Sequence, residues 1–156
     1  MTRLTARERF DSKVNRGAEC WTWTAATHPD GYGKFYLDGK VEYAHRVAFV
    51  WHHGPIGDGM VVDHACHNRA CVNPLHLRMV TGKQNQENRC GSASTSKSGV
   101  RGVSWNAKRR TWAGFVRHNS ATIYLGYFRT VAEAEAVVIA KRLELFTHNN
   151  LDRVTA

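Results

Sequence analysis

With 156 residues the chain can hold one ordinary domain or two small ones, and small domains bury too little surface to be stable without a metal, a disulfide or a partner. Lysine and arginine number 22 against 13 acidic residues, a formal net charge of +9 that favours a polyanion as partner. The first residues carry no apolar signal core, and no stretch reaches the roughly 18 consecutive apolar residues of a membrane span, so a soluble, intracellular protein without a membrane partner is expected.

Taken in chain order, Thr5-Ala6-Arg7-Glu8 fits a capping box and predicts a short helix running toward Val14. Strands are expected near 33–37 and 40–43, joined at Asp38-Gly39, where a two-residue hairpin turn needs positive φ. Ala44 to His53 has no Gly or Pro, places Val47, Ala48 and Trp51 at helical spacing and stops at Gly54-Pro55, which predicts a helix. Met60 to Asp63 and Leu77 to Val80 are short β-prone runs flanking a Cys/His-rich loop. Thr81-Gly82-Lys83-Gln84 is a second capping box, opening a helix that carries Asn85 and Asn88.

The small-polar stretch Gly91 to Gly99 marks a change of composition. We expect a first domain over 1–90, a flexible linker over 91–98 and a second domain over 99–156. Residues 1–90 carry 12 basic and 9 acidic side chains and residues 91–156 carry 10 and 4, so the smaller half holds the larger net charge. In that half Val100 to Trp105, Thr111 to His118 and Thr122 to Phe128 are β-branched and aromatic runs. A capping box at Thr130 to Glu133 then opens a helix with Ala132, Ala136, Ile139, Leu143 and Phe146 on one face. The expected class is therefore α+β, the second domain being a three-stranded antiparallel sheet packed on one helix.

Cys66, Cys71 and His76 are spaced C-x4-C-x4-H in one compact loop. Zinc takes four such ligands in a tetrahedron, and its binding contributes folding free energy directly. Cys20, just before Trp21, is the best fourth ligand, and His67 is the alternative. Cys90, beside the polar stretch, is expected to stay outside the set. The ion would be structural, with no open position.

Asp63 and His64 end the first β-prone run, and Asn85 falls on the helix after the second. A strand-end carboxylate and a helix-borne amide oxygen suit a hard divalent ion such as Mg2+ or Mn2+. A neutral imidazole beside them can deprotonate a water for attack on phosphorus. Asn88, one turn on, is the alternative ligand to Asn85.

The stretch Val62-Asp63-His64-Ala65-Cys66-His67-Asn68-Arg69-Ala70-Cys71-Val72-Asn73-Pro74-Leu75-His76-Leu77 resembles the His-Asn-His (HNH) nuclease superfamily with its ββα-metal fold, in particular the zinc-stabilised homing-endonuclease branch. The likeness covers Cys20 to about Arg89. It implies that His64 is the general base, that Asp63 and Asn85 hold a catalytic Mg2+, and that Asn73 braces the loop. It also implies that Cys20, Cys66, Cys71 and His76 hold the zinc. His45-Arg46 matches the motif on the preceding helix, and Arg46, ahead of His45, is expected to stabilise charge on the phosphate. No cysteine follows Cys90, so the second cysteine cluster of some such enzymes is missing, and monomer and homodimer both stay open.

Ser98-Gly99-Val100-Arg101-Gly102-Val103-Ser104-Trp105, Thr111-Trp112, Tyr124-Leu125-Gly126-Tyr127-Phe128 and Thr130-Val131-Ala132-Glu133-Ala134 resemble the Apetala-type (ethylene-response-factor) DNA-binding domain over about Lys97 to His148. That likeness implies a sheet entering the major groove of double-stranded DNA, with Arg101, Trp105, Arg110, Arg117 and Tyr124 on contact-bearing strands and Trp112 the first candidate for the core. The expected function is a phage-type or homing, metal-dependent DNA endonuclease; its rival is a non-catalytic, zinc-stabilised DNA-binding regulator.

Overall fold

The structure is a computed structural model describing residues 4–92 and 95–155, so Ala93 and Ser94 of the expected linker lie outside the described residues. The class is mixed α and β, built from small antiparallel ladders in two compact units, Met1–Asn85 and Gln86–Ala156. The division precedes the expected boundary at 90 because Glu87 and Asn88 bond within the second unit. Glu87 Oε2 accepts from the Thr147 amide at 2.9 Å, and Asn88 Oδ1 accepts from the Asn150 amide at 3.3 Å. Part of the expected linker is also tied down: Ser98 Oγ donates to the Val103 carbonyl at 2.7 Å.

The first unit opens with α1 (Ala6–Asp11), whose Thr5 and Glu8 form the reciprocal capping box. It ends before Val14, which instead starts a hairpin of β1 (Val14–Arg16) and β2 (Trp21–Trp23) that the sequence reading did not contain. Three-residue strands have too little alternation to stand out in a sequence. A second hairpin, β3 (Lys34–Leu37) with β4 (Lys40–Tyr43), turns through Asp38 (φ 49°) and Gly39 (φ 86°), the two positive φ values such a turn requires. Next comes α2 (Ala44–His53), then β5 (Met60–His64), a short 3-10 turn at Pro74–His76, β6 (Leu77–Thr81) and α3 (Gly82–Glu87). At the start of α3 the Thr81 and Gln84 side chains accept from each other's backbone amides.

The core of this unit is largely aromatic. The Phe10 ring lies 5.0 Å from Trp23, 5.1 Å from Phe35 and 5.2 Å from Trp51, tilted or edge-on in each case, the arrangement ring quadrupoles favour. Gly33 is required where the hairpin crosses this cluster, since a Cβ there would sit 2.6 Å from the Trp23 ring.

In the second unit β7 (Val103–Asn106), β8 (Thr111–His118) and β9 (Ala121–Phe128) pair antiparallel in that order. Two further elements follow, α4 (Val131–Leu145) and α5 (Asn150–Thr155). Val103 and Val116 pack with Ala134, Val138 and Phe146 in one apolar cluster. The buried row of α4 is therefore Ala134, Val138 and Arg142, a correction to the expected face, of which Ala132 and Ala136 are exposed. Apolar periodicity could not find this row because one of its members is charged. Arg142 is 7 % exposed and pairs with Asp152 of α5, Nε to Oδ2 at 2.8 Å.

Candidate metal centre and active site

The ligand atoms of Cys20, Cys66, Cys71 and His76 all lie within 4.8 Å of one another. Cys20 comes from a separate part of the chain, and backbone pairing explains its arrival. The Trp23 amide donates to the Ala70 carbonyl and the Val72 amide to the Trp21 carbonyl, both at 2.8 Å, so β2 lies along the loop and carries Cys20 to it. Asn73 closes the other side, its Nδ2 donating to the Glu19 carbonyl at 2.9 Å and its Oδ1 accepting from the Leu75 amide at 3.1 Å.

The geometry fits zinc. Bonds of about 2.3 Å to sulfur and about 2.0 Å to nitrogen place a tetrahedral sulfur and nitrogen about 3.5 Å apart. His76 Nδ1 lies 3.6 Å from Cys20 Sγ and 3.7 Å from Cys71 Sγ. Burial pushes the Cys71 thiol up to about 12 and raises Cys66 as well, so neighbouring thiolates need a cation among them. A coordinated ion deprotonates such thiols outright. His67, the alternative fourth ligand, is not in the cluster; it holds a positive φ of 57° on the turn after His64.

Beside this centre, β5 and β6 pair Asp63 with Arg78 and His64 with Leu77. Arg78 binds Asp63 Oδ2 through Nε at 3.0 Å and Nη2 at 2.9 Å. Arg78 was absent from the sequence reading, because only the register of the folded ladder sets it opposite Asp63. His64 is buried, and its Nε2 lies 2.9 Å from the Cys71 carbonyl oxygen. A carbonyl can only accept, so the proton of neutral His64 sits on Nε2 and the basic lone pair on Nδ1. Burial draws the His64 pKa below the ordinary histidine value, against the opposing pull of the Cys71 carbonyl and Asp63. The metal loop thus sets the tautomer of the imidazole through the backbone of one of its own ligands.

Beside His64 stand two rings from the first half of the unit, His45 at 4.8 Å and Tyr32 at 5.7 Å, and Tyr43 lies 5.7 Å from His45. The Arg69 guanidinium lies 5.6 Å from the Tyr32 ring centre and donates to the Asp30 carbonyl at 2.9 Å. Tyr32 and Arg69 had no signal in the sequence, because their approach depends on the fold of distant loops. Arg46, expected at this centre, is not among these groups: it lines a hollow with Leu37, Asp38, Trp51 and Ile56. Adjacent helical residues point about 100° apart, so the His45 and Arg46 side chains leave α2 in different directions. Asn85 lies half-buried on α3, whereas Asn88 is buried and belongs to the second unit.

The residues expected to touch DNA divide between two faces. Strand register sets Arg117 opposite Thr122 and Phe115 opposite Tyr124, on the face turned away from α4, where Tyr124 is 78 % exposed. Trp105 pairs instead with Trp112 at 5.0 Å between ring centres, and Trp112 packs on the apolar core, so Trp105 shares the helix side with Val103. Arg101 is held within its own unit: its guanidinium donates to the carbonyls of Gln86, Glu87 and Arg89 at 2.9 to 3.0 Å. Those acceptors lie at the C-terminal end of α3, and a cation there satisfies carbonyls that a helix end leaves open. Arg110 stands in the β7–β8 turn with φ 53°, and its neighbour Arg109 lies 4.7 Å above the exposed Tyr127 ring, a pair the sequence reading did not contain.

Residues 42–87 match the model of the HNH endonuclease family, a span that includes His45, Asp63, His64, the metal loop and Asn85. The chain is also similar to phage proteins. It is 38 % identical over 69 residues to Protein 7.7 of Escherichia phage T7, covering 44 % of this chain and 53 % of that one. It is 38 % identical over 85 residues to Protein 2.8 of the same phage, covering 53 % and 58 %. To the uncharacterized gene 5.3 protein of Enterobacteria phage T3 it is 39 % identical over 57 residues, covering 33 % and 56 %. The chain thus spans just over half the length of the curated relatives it matches. No solved structure matches it. Among the described residues no helix is long and apolar enough to cross a membrane.

Proposed function

We propose that the protein is a metal-dependent endonuclease of the HNH type that hydrolyses a phosphodiester bond in double-stranded DNA. The observation that carries this reading is the buried His64, its Nε2 committed to the Cys71 carbonyl at 2.9 Å and its basic Nδ1 thereby defined. A zinc-stapled module built only to bind DNA needs no such imidazole, because His64 is not one of the four clustered ligands.

His64 takes a proton from water on Nδ1 as the water oxygen bonds to phosphorus and the bond from phosphorus to the leaving oxygen breaks. Its depressed pKa keeps it unprotonated and ready at neutral pH. Asp63 and Asn85 offer the hard oxygen donors that Mg2+ prefers, and the ion would supply charge neutralisation at the phosphate when bound. Arg78 restrains one Asp63 oxygen and so limits how the carboxylate can turn. Zinc, held by Cys20, Cys66, Cys71 and His76, is structural, its four ligands leaving no place for substrate.

The second unit is proposed as an Apetala-type reader of duplex DNA, using the sheet face of Arg117 and Tyr124 together with Arg109, Arg110 and Tyr127. Arginines there would reach phosphates and base edges. The phage relatives fit a phage-encoded enzyme.

Supercoiled plasmid incubated with Mg2+ tests the reading. The protein should relax or linearise it, and His64→Ala should slow this by about 10²- to 10⁴-fold, the usual share of a general base. If both leave the plasmid intact while binding it, the protein is a DNA-binding module and not a nuclease.

A further inference from the structure

His45 is the most unusual side chain near the candidate centre. It is only 6 % exposed, yet its Nδ1 finds no hydrogen-bond partner among the described residues. A buried polar atom left without a partner costs about 1–3 kcal/mol, which a hydrogen-bonding ligand at this position would recover. Burial, with smaller contributions from His64 and Arg46, lowers its pKa to about 3, and it is neutral wherever the protein works.

The position of His45 says what kind of ligand. It is the second residue of α2, a ten-residue helix whose N-cap residue, Tyr43, makes no side-chain capping bond and whose first turn has no acidic residue. The Ala44 amide is spent on the Gly33 carbonyl at 2.8 Å, and the Tyr43 side chain caps none of those that follow. Such a helix end concentrates amide donors and positive dipole, the combination that receives phosphate groups. Tyr32 stands 5.0 Å from the His45 ring, with the Arg69 guanidinium 5.6 Å from its own ring centre, and burial raises the Tyr32 pKa so that its hydroxyl stays a donor. His64 lies 4.8 Å away, which sets this donor cluster beside the proposed general base.

We infer that the N-terminus of α2, with His45, Tyr32 and Arg69, is a phosphate-binding subsite that holds a backbone phosphate of the nucleic acid next to His64. The inference deepens the nuclease reading and rests on it for the identity of the ligand. Neutral His45 and the α2 amides supply hydrogen bonds, and Arg69 supplies charge. His45 takes the part that sequence reasoning assigned to Arg46.

The test uses the zinc-loaded full chain without added divalent ion and inorganic phosphate as probe, followed by amide chemical shifts. Shifts should centre on His45, Arg46 and Tyr32. His45→Ala should weaken phosphate binding about tenfold, equivalent to about 1.4 kcal/mol, and His45→Gln, which restores an amide donor, should recover part of it. Cleavage by His45→Ala should fall by about 10²-fold, as when one oxyanion donor is removed. Shifts centred elsewhere, or an unchanged affinity in a folded His45→Ala, overturn the subsite. Should that variant lose its zinc, the location of the shifts in the unmodified protein decides. Phosphate binding is read without catalysis, so the two failures separate. A protein that cuts plasmid but does not bind phosphate at α2 loses the subsite alone; one that binds it there without cutting loses the nuclease reading alone.

Discussion

The two units solve the problem of small size in opposite ways. The first, Met1–Asn85, has among its described residues two-stranded ladders, an aromatic cluster and a loop whose four converging ligands could hold an ion. The second, Gln86–Ala156, has a three-stranded sheet, a fifteen-residue helix against it and one buried ion pair, and no group of ligands for a metal is found among its described residues. The difference bears on where each unit keeps its proposed functional groups. In the first, the loop that carries the clustered ligands also orients His64 through the Cys71 carbonyl, so the stability of the loop and the proposed chemistry are tied together. In the second, stability sits on the α4 side of the sheet, and the opposite face is left to carry Arg117 and Tyr124.

Three experiments can break or sharpen this contrast. The largest effect should come from removing zinc, by chelation or by Cys66→Ala with Cys71→Ala. Structural zinc contributes about 10–16 kcal/mol in small domains, so amide protection should vanish across β1 to β6 and persist in β7 to β9. Loss of protection in both units, or in neither, would end the distinction. A smaller effect is expected from Asp152→Asn, which leaves Arg142 charged and buried beside a neutral partner. Breaking such a pair costs about 3–5 kcal/mol, and urea unfolding should lower the stability of the second unit with zinc content unchanged.

The smallest effect is a pH dependence. His45 has a folded-state pKa of about 3 against an ordinary value of 6.5. Between these values the unfolded chain binds the extra proton, so the stability that burial of neutral His45 allows is present above 6.5 and is lost as pH falls toward 3. From pH 6.5 to pH 5 this amounts to about 2 kcal/mol. With zinc in excess, the first unit should lose that much more than the same unit carrying His45→Gln; equal losses would show that His45 is solvated.

Much of the frame was legible because local chemistry sets it. The capping residues Thr5 and Thr81, the Asp38-Gly39 turn and the Gly54 stop act within a few positions of themselves, and the end of α2 follows from the last of them. The four clustered ligand residues were legible by type and spacing, and β2 lying against residues 70–72 is what brings the distant Cys20, and not His67, to the other three. The buried row of α4 was not legible, since it includes Arg142, which enters a core only because Asp152 meets it. Arg101 likewise read as a DNA contact, but the end of α3 offers it three carbonyls.

The sequence by itself determined the types of donor available, namely thiols and imidazole in one loop, a carboxylate and imidazole at a strand end, and an excess of arginine in the second half. Those follow from residue identity and short-range spacing. The tertiary structure alone decided which of two neighbours, His45 or Arg46, stands beside His64, that Arg78 grips Asp63, and which arginines face solvent. Each of those outcomes depends on the side of a helix or strand that packing buries, and packing is settled by partners dozens of residues away.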